Sequence, residues 1–333
     1  MTTHRERLQA CLRGEVIDRV PVALWRHFPV DDQAPDTLAA AHLAFQTTYD
    51  FDLLKVTPAS SFSVKDWGVE DVWEGDAEGT RRYSKYVIEK PDDWERLPVL
   101  NAASPHLAAQ IACLQQIRQA LGTDTPVLQT VFSALAQAKH LAGEKVLLAH
   151  LRRFPDAVEH GLRTITESTK RFIRLVAEVG ADGIFYAVQH ARPGLLARDE
   201  FMHFSRPSDF ELLDSARDLW CNMLHVHGED IYFDAVADYP AHIINWHDRE
   251  SAPTLSEARK TWDGVVCGGL SRTTLVFGPR SLVRQEALEA FTQTDGRKLL
   301  LSTGCVAPII IPHGNLQAAR QSVELAPTGG STT

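Results

Sequence analysis

Short runs of mostly apolar residues recur along the chain, at Val20 to Trp25, Phe51 to Val56, Pro126 to Phe132, Gly183 to Val188, Met223 to Val226, Ile243 to Trp246, Val265 to Leu270 and Leu299 to Ser302. They lack the polar alternation of a half-exposed strand, so each predicts a strand covered on both faces. The intervening segments have helical spacing. Residues 36 to 49 carry Leu38, Ala41, Phe45 and Thr48 on one face, and Phe154 to Val179 ends at the stop signal Gly180. Helix also fits much of Arg198 to Leu219, Leu255 to Trp262, Pro279 to Phe291 and Leu316 to Leu325. Eight such strand and helix units in about 300 residues predict an α/β fold, a single (β/α)8 TIM barrel.

Two features decorate this frame. Thr3 with Glu6 three residues on is a capping-box spacing, and Leu8, Cys11 and Leu12 form an apolar stripe before Gly14, so a short helix precedes the first strand. Residues 59 to 100 break the rhythm with Ser60 to Ser63, the tryptophans Trp67, Trp73 and Trp94, alternation over Arg82 to Ile88 and a Pro91-Asp92-Asp93 helix start. This predicts a hairpin insertion before the third strand, packed as an excursion or folded over the barrel mouth. The barrel spans residues 1 to 326, and the polar tail 327 to 333 is expected to be disordered. A doubly wound nucleotide-binding sheet is disfavoured, because the first strand-to-helix turn, Trp25-Arg26-His27-Phe28-Pro29, has no glycine to admit a phosphate.

Composition narrows the partners. The 333 residues are 44% hydrophobic and 23% charged with a net charge of -9, so a nucleic acid or an anionic membrane is not an expected partner. Cys11, Cys113, Cys221, Cys267 and Cys305 lack the paired spacing of a disulfide scaffold or zinc ribbon, and no apolar run suits a membrane span. A cytoplasmic enzyme acting on a small molecule is expected.

In a barrel, chemistry sits at the C-terminal strand ends. His225 and His227, two apart on one strand, share a face, and with a distant Cys305 they offer two imidazoles and a thiolate suited to zinc. They could equally hydrogen-bond to neighbours. His247 lies in the loop Trp246-His247-Asp248-Arg249-Glu250, a candidate acid/base group or a solvated rim. Arg26 offers a fork for a carboxylate or phosphate, with His27, Gln189 and His190 as further candidates for binding substrate. Asp52 interrupts an apolar strand and must be paired or functional.

Together these segments resemble the uroporphyrinogen decarboxylase superfamily, which includes zinc-dependent corrinoid:thiol methyltransferases. The resemblance rests on the opening Arg5 to Val22, on Asp52-Leu53-Leu54-Lys55-Val56-Thr57-Pro58, on Leu224-His225-Val226-His227-Gly228 and on Thr303-Gly304-Cys305. From the decarboxylase branch it implies Arg26 and Asp52 on substrate and His140 in place of a tyrosine, but Val30 stands where a second arginine belongs and Cys305 where a histidine does. From the methyltransferase branch it implies zinc on His225, His227 and Cys305, with His227 replacing a cysteine. The corrinoid would ride on a separate carrier protein, since no Asp-x-His-x-x-Gly motif occurs, and the resemblance implies a homodimer.

Three functions follow. The first is zinc-dependent methyl transfer to a thiol, with Asp52, His140 and His247 as catalytic residues. A metal-free decarboxylase of uroporphyrinogen or another polycarboxylate is the alternative, and a non-catalytic tetrapyrrole- or corrinoid-binding barrel is the third.

Overall fold

Seven parallel strands form one sheet in the order β1 (Leu54–Val56), β4 (Val127–Phe132), β5 (Gly183–Val188), β6 (Met223–Val226), β7 (Ile243–Trp246), β8 (Val265–Leu270) and β9 (Leu299–Thr303) in a computed structural model that describes residues 2 to 101 and 103 to 325. Every residue of these strands is buried, as expected of strands apolar on both faces. The principal helices after each strand lie outside the sheet. They include α3 (Pro105–Leu121), α4 (Ala134–Ala142), α6 (Pro155–Glu178), α8 (Arg206–Ser215), α12 (Arg280–Thr294) and α13 (His313–Ser322). The expected tail falls outside the described residues.

The segment expected to be the first strand departs from the prediction. Val20 to Trp25 makes only a single parallel bridge, Val22 with Leu301, so the regular ladder has seven strands and not eight. Two local causes account for this. Pro21 has no N–H to donate, and the Val22 N–H goes to a side chain, Asp52 Oδ2, at 2.8 Å. The segment is nevertheless bonded on both sides. Ala23 N donates to Leu301 O and Leu301 N to Pro21 O, while Asp52 N, two residues ahead of β1, donates to Val22 O.

Asp52 is therefore not where a catalytic group would stand. It precedes β1, at the N-terminal end of the sheet, is fully buried, and is enclosed by donors from three segments. The helix α1 (His4–Arg13), capped by the expected Thr3 and Glu6 pair, contributes His4 Nδ1 at 2.8 Å and Arg7 Nη1 at 2.7 Å. Arg19 adds Nη1 at 2.6 Å and Nη2 at 3.1 Å. Burial alone would raise the carboxyl. Hydrogen bonds from His4 and Arg19, the Arg19 charge and the Val22 N–H instead hold it well below the usual carboxylate range.

The insertion is a strap. An antiparallel pair, β2 (Glu70–Val72) and β3 (Arg82–Lys85), carries a turn whose Ala77 O accepts from Ile309 N and whose Glu78 pairs with Arg272 at 2.6 Å. Gly79, at φ 81°, lies so close to His27 that an added Cβ would stand 2.5 Å from the His27 Cβ. The expected helix at Pro91 is a single 3-10 turn, Pro91–Asp93. The strap thus crosses from the loop after the bridging segment to the loop after β8.

Asp52→Asn leaves Arg7 and Arg19 buried without their counter-charge and is expected to destabilise the fold by about 3–5 kcal/mol. Because the folded carboxyl lies below its unfolded value of about 3.9, its contribution is complete above pH 4 and is lost as pH falls below it. Urea unfolding from pH 7 to pH 3 should therefore show a large wild-type loss on the acid side, and the gap between wild type and variant should narrow there; a constant gap would refute this role.

Candidate metal centre

Parallel strands bring all their C-terminal ends to one edge, and four of the side chains there converge. His225 is the third residue of β6, His227 follows it by one, His247 follows β7 directly and Cys305 lies two past β9. One donor atom from each lies within 4.8 Å of every other. The Cys305 Sγ stands 3.7 Å from His225 Nε2 and 3.6 Å from His227 Nδ1. Donors held at 2.0–2.3 Å around a tetrahedral ion are themselves about 3.5 Å apart, so the spacing suits a metal without rebuilding the backbone.

Two backbone details produce this convergence. His225 and His227 keep one face because they are two apart, as the strand period requires. Gly304 then lets the loop after β9 press against the start of the next loop: a Cβ there would lie 2.5 Å from Trp246 O and 2.6 Å from the His247 Cα. Thr303 Oγ1 donates to Cys305 O at 2.6 Å and fixes the turn that aims the thiol inward.

The tautomer of His225 follows from its neighbour. The β6 and β7 register sets Asn245 directly beside His225. The Asn245 Nδ2 donates to the carbonyls of Cys267 at 2.8 Å and Thr303 at 3.0 Å, so its Oδ1 must face His225 Nδ1, at 2.7 Å. His225 Nδ1 is therefore the donor, and the lone pair lies on Nε2, toward Cys305.

The centre's electrostatics favour unprotonated ligands. Burial, followed by the charges of its histidine neighbours, pushes His225 far below the usual imidazole range; burial likewise takes His227 to about 3 and His247 to about 4. Burial raises the Cys305 thiol, opposed by the charges of Arg272 and Lys55 and by the Val306 N–H. The buried Nε2 of His247 has no hydrogen-bond partner among the described residues. A polar atom left so in a dry site fits a missing ligand. Three imidazoles and a thiol, one of them with an orphaned nitrogen, fit a borderline metal such as zinc.

The other expected residues surround this centre without joining it. Arg26 stands over the rings of Phe28 and Phe45 at 5.1 and 5.4 Å, donates from Nη1 to Ile309 O and leaves Nε unpartnered. His27 is buried under the strap, His190 is completely buried, and Gln189 accepts from Lys139 Nζ. His140 lies in α4, its ring stacked 5.1 Å from Tyr83 of the strap. Asp52 lies at the far end of the sheet.

Sequence reasoning placed Lys55 at a strand end near the site, but it did not assign His247 as a ligand, nor Asn245 to the site. His247 carried a signal, since it sits one strand over from the histidine pair. Asn245 carried a weaker one, a lone amide inside an apolar strand. Lys55 is buried with its Nζ 4.4 Å over the Phe185 ring and only Thr57 Oγ1 as a hydrogen-bond acceptor, at 3.2 Å; burial pushes its amine down to about 7.

A family model described as uroporphyrinogen decarboxylase (URO-D) matches residues 3 to 325. No curated protein matches the sequence. A solved methyltransferase from Methanosarcina mazei superposes with a TM-score of 0.86 at 21% identity, covering 98% of this chain and 99% of that one. A B12-independent methionine synthase from Shewanella sp. W3-18-1, in complex with selenomethionine, gives 0.60 at 14% identity over 93% and 92%. A putative vitamin-B12 independent methionine synthase from Listeria monocytogenes gives 0.58 at 11% identity over 92% and 95%. These likenesses concern the fold.

Asn245→Leu keeps the branched shape of the side chain but removes its hydrogen-bonding groups and frees the His225 ring. Zinc affinity, measured by competition with a chromophoric chelator, is expected to fall about 10- to 100-fold, the usual cost of losing a partner that orients a ligand. Unchanged affinity in the folded variant would mean that Asn245 does not set the tautomer.

Proposed function

The chain belongs to the uroporphyrinogen decarboxylase family, and from that premise we propose that it is a zinc-dependent methyltransferase, moving a methyl group from a corrinoid or another methylated donor to a thiol. The observation that carries the reading is the His225, His227, His247 and Cys305 cluster, whose donor atoms all lie within 4.8 Å of one another. Seven ladder strands and the doubly bonded bridging segment are read as the eight staves of a closed barrel, which places the cluster at the mouth.

When bound, zinc would supply a Lewis acid that lowers the pKa of a thiol and holds it as the nucleophile. The remaining work falls to this chain. Asn245 keeps the His225 Nε2 lone pair aimed at the centre. Burial keeps all three imidazoles neutral, and so able to ligate, across the physiological range. His247, whose Nε2 has no hydrogen-bond partner among the described residues, would be a further ligand to the metal. The strap would cover the side of the mouth next to His27 and Arg272, which its turn contacts through Gly79 and Glu78. Arg26 would bind the substrate from the bridging segment, and the methyl donor would arrive on a separate carrier protein.

The decarboxylase alternative draws less support, because Asp52 lies at the opposite end of the sheet and is paired with Arg7, Arg19 and His4. The metal cluster has no role in it. His140 keeps an unpartnered Nδ1 near the mouth and is retained as a residue that faces substrate.

Elemental analysis of the purified chain is expected to find about one zinc per chain, lost in Cys305→Ser and in His225→Ala. With methylcobalamin as the donor and a simple thiol as acceptor, the wild type should form the thioether. Both variants should lose at least 100-fold in rate while retaining their circular dichroism. Zinc-free wild type that still methylates thiols would sink the reading.

A further inference from the structure

In the loop after β5, a buried imidazole faces a carboxylate that reaches solvent. His190 is 0% exposed, and neither of its ring nitrogens has a hydrogen-bond partner among the described residues. Glu144, the first residue of the helix Glu144–Arg153, holds a buried Oε1 3.6 Å from His190 Nε2, and that oxygen is likewise unpartnered. The rest of the glutamate is not enclosed, since its side chain is 36% exposed. An ionised carboxylate can only accept, so the neutral ring beside it carries its proton on Nε2 and its lone pair on Nδ1. The pair thus presents a base inside the protein and an acceptor at its surface.

Strand register sets the pair beside the metal centre. Val188 lies opposite Val226 in the ladder of β5 and β6, and Val188 O accepts from His227 N, so His190 and His227 leave the same edge of the sheet on neighbouring strands. Arg192, two residues on, packs against Gly228, where an added Cβ would lie 2.9 Å from the arginine's Cδ. Neither member of the pair is built to keep a proton. Burial pushes His190 below the usual imidazole range, with the charges of Lys139 and Arg192 acting the same way and Glu144 opposing them. Burial alone would raise the Glu144 carboxyl, but His190, Lys139 and Arg192 hold it below the usual carboxylate range. His140, the remaining titratable neighbour, is likewise pushed far below the usual imidazole range by burial.

We propose that His190 and Glu144 form a proton exit: His190 Nδ1 takes the proton of the acceptor thiol, and Nε2 passes a proton to Glu144, which releases it to water. The S–H bond breaks with its electron pair left on sulfur, an N–H bond forms at Nδ1, and the Nε2–H bond breaks as its proton moves to Oε1. Sulfur then takes the methyl group, and the donor leaves with the electron pair of its bond to carbon. One thiol and one methyl donor give a thioether, the demethylated donor and one proton. That proton has to leave, because a charge kept in a dry site is costly. His190 is the catalytic residue of the pair, and Glu144 is its positioning residue and outlet. A separation of 3.6 Å is in keeping with such pairs before substrate binds, when their hydrogen bonds are often long. That the proton comes from a thiol rests on the proposed function; the pairing rests on the geometry above.

The test follows methylation of 3-mercapto-1-propanol by the full zinc-loaded chain across pH. At neutral pH His190→Ala is expected to lose about 10²- to 10⁴-fold in rate, the usual worth of a positioned base, and the half-exposed Glu144→Leu a smaller factor, both with zinc content unchanged. The losses should shrink as pH rises past the thiol's own pKa, about 8.5 or above, where solvent already removes the proton. Added imidazole should restore His190→Ala in part, and Glu144→Asp should keep most of the wild-type rate. Wild-type turnover in folded His190→Ala, or a loss that neither pH nor imidazole changes, would overturn the exit. Nitrogen NMR of the histidine rings, assigned by difference against His190→Ala, reads the pair apart from turnover. The wild type should carry the His190 proton on Nε2, and Glu144→Leu should lose that preference. If the wild type methylates no thiol, the thiol reading fails on its own and the spectrum still decides: a proton fixed on Nε2 by Glu144 supports the oriented base, and a preference that is absent or unchanged in Glu144→Leu overturns it.

Discussion

Taking a carboxylate out of water costs several kilocalories unless hydrogen-bonded opposite charges replace the lost solvation, and the way Asp52 meets that cost organises the molecule. Its two oxygens are satisfied by His4 and Arg7 from the first helix, by Arg19, and by the N–H of Val22. Each bond fixes a different piece of chain against the start of β1. The consequence is geometric: the segment Pro21 to Trp25 is held between β9 and the approach to β1, and it leads into Arg26 and His27. The same network extends outward through Asp18 on Arg7 and Glu324 on Arg19, so the first helix and the end of the described chain are tied to one point.

The two ends of the sheet divide the work. At the N-terminal end charges are paired to saturation, as with Asp52 and with Asp182, which accepts from Arg5, Arg118, Trp220 and the Val127 N–H. At the C-terminal end buried polar atoms are left open, on Arg26, His27, His140, His190, Arg192, His247 and Arg272. Paired groups stabilise the fold, and unpaired ones are the groups free to meet a ligand. The asymmetry is what separates a structural pole from a functional one in a barrel, and it appears here in hydrogen bonds alone.

The strands from Gly183 onward were legible almost residue for residue, because each is a mostly apolar run bounded by polar or glycine signals. The first was not, since its departure from a ladder depends on Pro21 together with a side chain 30 residues away. The helices Pro105–Leu121, Ala134–Ala142 and Glu144–Arg153 go unassigned in the sequence reading, although Leu107, Ile111, Leu114 and Ile117 form an apolar stripe at helical spacing in the first of them. At the site, the spacing of His225 and His227 and the late Cys305 could be read, because strand geometry and order suffice. Asp52 was misread for an instructive reason. A buried carboxylate is either paired or functional, and the arginines that pair it come from segments with no local relation to it.

The electrostatics at the C-terminal end of the sheet differ in sign from those of the protein as a whole. The net charge is -9, yet Lys55, Lys139, Arg192 and Arg272 lie around the centre, with Glu78, Glu144, Asp248 and Glu250 as nearby acids. In a desolvated pocket these cations act at low dielectric, where one charge counts for much more than the same charge at the surface. The imidazoles add none of their own, since burial keeps them neutral. Cys305 therefore sits where two opposed effects meet: dehydration disfavours its thiolate, and Arg272 and Lys55 favour it. A bound metal would tip that balance in the same direction as the cations, so the positive pocket and the soft donor set are two parts of one arrangement for stabilising negative charge on sulfur.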